Sequence, residues 1–106
     1  MLTMNRMTIE RGNTVRFVTK FTGFDGLPTE PDTALFKIYD RKFNELLSAE
    51  MTKAQPTEDD PKVGVYYYYY TPDADGEYTV EMYGIVDNNP VVTRRKVNVV
   101  FDDTSV

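Results

Sequence analysis

Carboxylates are the side chains here best equipped for chemistry, and nine of the 17 come in three clusters: Asp25, Glu30 and Asp32; Glu58, Asp59 and Asp60; Asp73, Asp75 and Glu77. Oxygen-rich groups of this kind suit calcium. The run Asp73-Ala74-Asp75-Gly76-Glu77 faintly resembles a calcium loop, although it is far shorter than an EF-hand. Paired carboxylates also serve glycosidases, which need them preorganised and need one of them raised in pKa by burial. These acids sit instead among prolines and glycines, on separate loops, where they bond their own backbone and keep the surface soluble. The expectation is turn chemistry, with no metal and no cofactor.

Other catalytic constellations lack their parts. The sequence has no histidine and no cysteine, which removes the commonest general base, the commonest metal ligand and the thiolate nucleophile. Ser48 and Ser105 are the only serines, with no histidine to activate them. No glycine-rich phosphate loop occurs. The chain is expected not to be an enzyme.

Two features point to binding. Five consecutive tyrosines, Tyr66 to Tyr70, follow Val65. A strand sends successive side chains to opposite faces, which separates Tyr66, Tyr68 and Tyr70 from Tyr67 and Tyr69. Neither set is charged, so polarity does not choose between them, and the first set is placed inward and the second outward. Tyrosine is enriched at protein interfaces. The outward face is expected to include Tyr67, Tyr69, Thr79, Glu81 and Tyr83. The run Arg94-Arg95-Lys96 is the one basic cluster in a chain of net charge −5. It reads either as a solvated strand face that blocks aggregation or as a docking patch for an acidic neighbour, including another copy of the chain. The acidic balance argues against a dedicated nucleic-acid partner.

The elements that position these residues read as strands. Met7 to Glu10 forms a first strand with Ile9 inward, preceded by a loose arm. Thr14 to Phe21 alternates, with Val15, Phe17, Thr19 and Phe21 on one face. Residues 22–32 hold glycines, prolines and acids and form a long loop. Thr33 to Asp40 places Ala34, Phe36 and Ile38 on one face. Arg41 to Lys53 is open to two readings: a helix through Phe43, Leu46, Leu47 and Glu50, or a turn followed by a strand with Leu47, Ala49 and Met51 together. The strand is preferred because its neighbours are strands. Residues 54–62 form an acidic crossover loop. Tyr78, Val80 and Met82 point inward from the strand that follows the turn at Thr71 to Gly76. After a turn at Asp87 to Pro90, Val91 to Phe101 is the last strand, with Val97, Val99 and Phe101 inward and a frayed tail behind it. All six prolines then fall outside strands, as central strands require.

At 106 residues this is one domain, with a core over about residues 7–101. No apolar run approaches the roughly 20 residues of a membrane helix. The start, MLTMNRMTIERG, lacks the apolar centre of a signal peptide, so the expectation is a complete small protein made inside the cell. About seven antiparallel strands with regular turns predict an all-β, two-sheet sandwich.

The ordered set Gly12-Asn13-Thr14-Val15-Arg16-Phe17, Phe21, Asp25-Gly26, Phe36-Lys37-Ile38-Tyr39-Asp40, Gly64-Val65-Tyr66 and Gly76-Glu77-Tyr78-Thr79-Val80 resembles the small immunoglobulin-like β-sandwich modules of tailed-phage and prophage structural proteins. Gly76-x-Tyr78-x-Val80 is also similar to the tyrosine corner of immunoglobulin-like folds, whose hydroxyl bonds back to nearby backbone. Val80 stands where antibody domains carry their second cysteine, and there is no tryptophan, so the likeness is one of architecture. The resemblance implies a virion component of neck, tail or decoration, made in the bacterial cytoplasm. It would contact other virion proteins or copies of itself, a homo-oligomer included, and it brings no catalytic residues. The alternative is a bacterial surface adhesion or carbohydrate-binding module, with the exposed tyrosines stacking on sugar.

Overall fold

The computed structural model describes residues 6–101 and contains eight strands. They are β1 (Arg6–Glu10), β2 (Val15–Lys20), β3 (Thr33–Tyr39), β4 (Glu45–Glu50), β5 (Thr52–Lys53), β6 (Val65–Tyr70), β7 (Gly76–Val86) and β8 (Asn89–Val100). One sheet has the order β1-β8-β7-β3-β4 and the other β2-β6-β5. The fold is an all-β, two-sheet sandwich. The arm expected before the first strand, residues 1–5, and the tail, residues 102–106, lie outside the described residues.

Alternation builds the core. Phe36, Ile38, Val80, Met82, Val97 and Val99 come from the five-stranded sheet and Phe17 from the three-stranded one. Tyr66, Tyr68 and Tyr70 pack against them from β6, so the inward half of the tyrosine run is where the alternation puts it. The two sheets meet at Phe36. Its ring stacks on Tyr68 with centroids 4.5 Å apart and lies 5.3 Å from the ring of Phe17.

The ambiguous stretch 41–53 is extended. Asp40 sets its turn by accepting hydrogen bonds from the backbone N–H of Lys42 (2.8 Å) and of Asn44 (2.9 Å). Those bonds, with Asn44's backbone contribution the largest, hold the Asp40 carboxyl below its ordinary range. The chain then changes sheets at Met51, which is buried. Met51 N–H still bonds Ala34 of β3 (2.9 Å), whereas Ala54 N–H bonds Val65 of β6 (2.9 Å). The helical reading of Leu46, Leu47 and Glu50 fails because a more buried side chain at every second residue, ending at Met51, serves both sheets.

Between β6 and β7 the chain crosses from one sheet to the other. Tyr78 closes this corner by donating from its hydroxyl to the carbonyls of Ala74 (3.0 Å) and Asp75 (3.3 Å).

Three expectations need correction. First, not every strand pair is antiparallel, because β1 runs parallel to β8, from Arg6↔Lys96 to Glu10↔Val100. Second, Pro90 lies inside β8 rather than in the turn. Asp87 (φ 51°) and Asn88 (φ 64°) form the two-residue turn by themselves, and Val86↔Asn89 closes it. The next pair, Ile85↔Pro90, is then a non-hydrogen-bonded one, so the missing N–H of Pro90 costs the ladder nothing. Third, Phe101 is 59% exposed rather than inward. It lies just beyond β8, and the Arg11 guanidinium covers its ring at 4.7 Å.

Glu30 anchors the long β2–β3 loop. Its carboxylate accepts from Lys53 Nζ (2.6 Å), Gly64 N–H (2.6 Å) and the Tyr66 hydroxyl (3.0 Å). The Lys53 bond, then the Gly64 bond, hold its pKa below the ordinary value. A carboxyl with a lower pKa folded than unfolded stabilises the fold above its unfolded value, and that stabilisation is lost as pH falls through the folded value. The stability gap between wild type and Glu30→Gln is therefore expected to be full above about pH 4.5 and to close on further acidification. Denaturation midpoints across an acid series test this; a gap that stays constant on acidification would mean that Glu30 is not the acid-labile clip.

Candidate functional site

Two outward faces carry the residues singled out for binding, and they lie on opposite sides of the molecule. The expected single face of Tyr67, Tyr69, Thr79, Glu81 and Tyr83 does not exist. Tyr67 and Tyr69 belong to β6 of the three-stranded sheet, and Thr79, Glu81 and Tyr83 to β7 of the five-stranded sheet. Alternation says only that a side chain leaves the core face; it does not say which sheet the strand has joined.

On the five-stranded sheet β7 is central, flanked by β3 and β8. Cross-strand neighbours place Tyr39 and Lys96 beside Thr79, and Lys37 and Arg94 beside Glu81. Those longer side chains cover the middle strand, so Thr79 and Glu81 are each only 5% exposed although they point away from the core. The Glu81 carboxylate is satisfied there: Arg94 Nε donates to it at 2.8 Å and the Tyr39 hydroxyl at 3.4 Å. Burial, reinforced by the negative charge of Glu81, pushes the Tyr39 phenol above its ordinary pKa. Tyr83 is half-buried, with Lys37 Nζ 4.9 Å from its ring centre.

Next to this pair is a shallow groove of about 560 Å³, bordered by Tyr39, Phe43, Thr79, Glu81, Arg94, Arg95 and Lys96. Phe43 forms one wall from the β3–β4 turn, where it has φ 63°, and Lys96 Nζ lies 5.0 Å from its ring centre. Sequence reasoning missed Phe43 and Tyr39. The signal available was the Asp40–Asn44 turn, whose tightness forces the intervening Phe43 out over the sheet. Aromatic walls with cations and a satisfied carboxylate suit an extended acidic or aromatic segment.

The basic run is divided by its strand. Arg94 and Lys96 stand opposite Glu81 and Thr79 on the outer face, while Arg95 pairs with Val80 on the side of the core. All three nonetheless border the groove.

On the three-stranded sheet the outward residues are Arg16, Val18 and Lys20 of β2, opposite Tyr69, Tyr67 and Val65 of β6. Tyr67 and Tyr69 pack edge to face with centroids 5.5 Å apart, and the Arg16 guanidinium sits 4.6 Å from the centre of the Tyr67 ring. Tyr69 is 59% exposed and Val18 44%. This is an aromatic and basic surface on an acidic protein.

The acidic groups serve turns and anchors. Asp25 accepts from Leu27 N–H and Asp60 from Lys62 N–H, and Glu30 is engaged as described above. Among the described residues no three acidic side chains are grouped so as to hold a metal ion. Comparison with known proteins gave no match to a family model, to a curated protein or to a solved structure.

Proposed function

We propose that this chain is a non-enzymatic structural module of immunoglobulin-like architecture that acts in the assembly of a phage or prophage particle. The architecture is supported by the division of the strands into β1-β8-β7-β3-β4 and β2-β6-β5, with the chain changing sheets at Met51. It is supported further by the Tyr78 hydroxyl closing the corner onto Ala74 and Asp75. The observation that carries the functional reading is the outer face of the three-stranded sheet. Exposed Tyr69 and Val18, with Tyr67 held under Arg16, give a rigid aromatic surface of the type that anchors protein interfaces. The module requires no cofactor in this reading, and its partners are virion proteins or further copies of itself.

The test is incorporation. Particles from a host carrying the gene are expected to contain the chain, and Tyr67→Ala with Tyr69→Ala is expected to reduce its incorporation about tenfold while the purified variant stays folded. Particles that lack the chain, or unchanged incorporation of the variant, would overturn the reading. The exposed ring of Tyr69 also favours a second reading, a bacterial surface adhesion or carbohydrate-binding module. Tyrosine fluorescence that shifts on glycan titration, and no longer does so in the double variant, would put that reading first.

A further inference from the structure

Each sheet ends on two edge strands, and the longest edge is β2 in the three-stranded sheet and β4 in the five-stranded sheet, six residues each. We propose that these two edges pair with each other between copies, head to tail, so that β2 of one protomer adds to β4 of the next as an antiparallel strand. This names the partner within the assembly reading and rests on it.

The backbone comes first. Phe21 N–H bonds Gly64 O at 2.9 Å, so alternation along the antiparallel β2–β6 ladder turns the N–H and C=O groups of Arg16, Val18 and Lys20 to the open edge. Met51 N–H bonds Ala34 O at 2.9 Å, so the same alternation turns those of Glu50 and Ser48 to the open edge of β4. In both strands the residues with open backbone groups also carry their side chains on the outer face. Antiparallel pairing therefore aligns the outer faces of the two copies into one continuous surface.

Charge then selects the partner. The edge of β2 is basic, with Arg16 and Lys20 flanking exposed Val18; the edge of β4 is acidic, with Glu45 and Glu50 flanking exposed Leu46 and Ser48. Setting Arg16 against Glu50 puts Val18 against Ser48 and Lys20 against Leu46. Glu45, the neighbour of Leu46 in sequence, adds negative charge at that end of the edge, although it also pairs with Lys37 of its own chain at 3.8 Å. Among the described residues neither Arg16, Lys20 nor Glu50 has an ion-pair partner in its own chain. Pairing like edges would do the reverse: β2 against β2 opposes Arg16 with Lys20, which is unfavourable on directly facing strands, and β4 against β4 sets Glu50 against Leu46, beside the other copy's Glu45, with no cation on either edge strand. A head-to-tail contact of this kind does not close at two copies, and it continues into a ring or a filament.

The experiment is sedimentation velocity of the full chain over a concentration series, with Arg16→Glu, Glu50→Lys and the double variant. Wild type is expected to associate beyond a dimer and to do so less in high salt, which screens exposed charge. Each single variant is expected to associate about tenfold more weakly, and the double variant to recover, because it restores the opposite charges in swapped order. A wild type that stays monomeric, association that stops at a dimer, or single variants that associate as wild type does would each overturn the edge pairing. If the chain is nonetheless incorporated into particles, the assembly reading survives and only the pairing fails.

Discussion

Replacing Phe36 by alanine is expected to remove about 4 kcal/mol of stability, within the range seen for deleting a buried aromatic ring. Phe36 is fully buried, and its ring meets three aromatic rings of the facing sheet. Its ring stacks on Tyr68 at 4.5 Å and lies 5.9 Å from that of Tyr70, both on β6, and 5.3 Å from that of Phe17 on β2. The alanine leaves a cavity bounded by three aromatic rings, which collapse poorly because each is fixed by its own strand, and it also removes the ring–ring terms. Set against the roughly 5–15 kcal/mol typical of a whole domain, that loss lowers the melting temperature by about 20 °C or leaves the chain unfolded at 37 °C. Chemical denaturation of Phe36→Ala beside Phe36→Leu measures it. A loss below about 1.5 kcal/mol would mean that the sheets are held together elsewhere.

Gly64→Ala is expected to cost about 3 kcal/mol, for two separable reasons. Gly64 has φ +73°, which a side chain disfavours, and a β-carbon there would lie 2.6 Å from the carbonyl oxygen of Phe21 and 2.8 Å from that of Thr29. These are backbone atoms from the two ends of the long β2–β3 loop, so no side-chain rotation relieves the contact. The alanine also pushes Gly64 N–H away from Glu30 and slackens the clip described above. Gly12→Ala isolates the backbone contribution: Gly12 has φ +94°, but a β-carbon there would meet nothing within 4 Å. Urea titration of both variants is expected to find Gly64→Ala the worse by about 2 kcal/mol. Equal losses would show that the loop yields and that the close approach carries no weight.

Strand positions and the core face are legible in the sequence because period-two burial is a local signal. Ile9, Phe17, Phe36, Ile38, Val80, Met82, Val97 and Val99 all lie where alternation puts them. What is not legible depends on which strand lies beside which. Tyr69 and Glu81 both point outward from the middle strand of a sheet, but Glu81 is flanked by long side chains on both sides, Lys37 and Arg94, whereas Tyr69 has a cross-strand partner only in Arg16 of β2, because the two-residue β5 reaches no further along β6 than Tyr66 and Tyr67. Hence Tyr69 is open and Glu81 is covered. Pro90 departs from expectation for a related reason: the rule that excludes proline from strands applies where the N–H is needed, and the register of the Asp87–Asn88 hairpin removes that need. Phe101 departs because the alternation of Val97 and Val99 does not continue one step past the end of β8. In the groove, Phe43 fits only the helical spacing that the extended chain rejects, and strand alternation does not reach it because it sits in a turn with left-handed backbone, a conformation more usual for glycine or asparagine.

The parallel pairing of β1 with β8 sets an order of events in the cell. Of the strands here, β1 leaves the ribosome first and β8 last, yet each residue from Arg6 to Glu10 finds its ladder partner only between Lys96 and Val100. At about 5–20 residues per second, β1 waits several seconds for its partner to be synthesised. The β7–β8 hairpin, with its two-residue turn, forms locally and carries the edge that receives β1, so β1 cannot pair until β8 has been made. A truncated product lacking β8 leaves β1 and one side of β7 without partners, and the cell's proteases meet an unclosed sheet rather than a near-native domain.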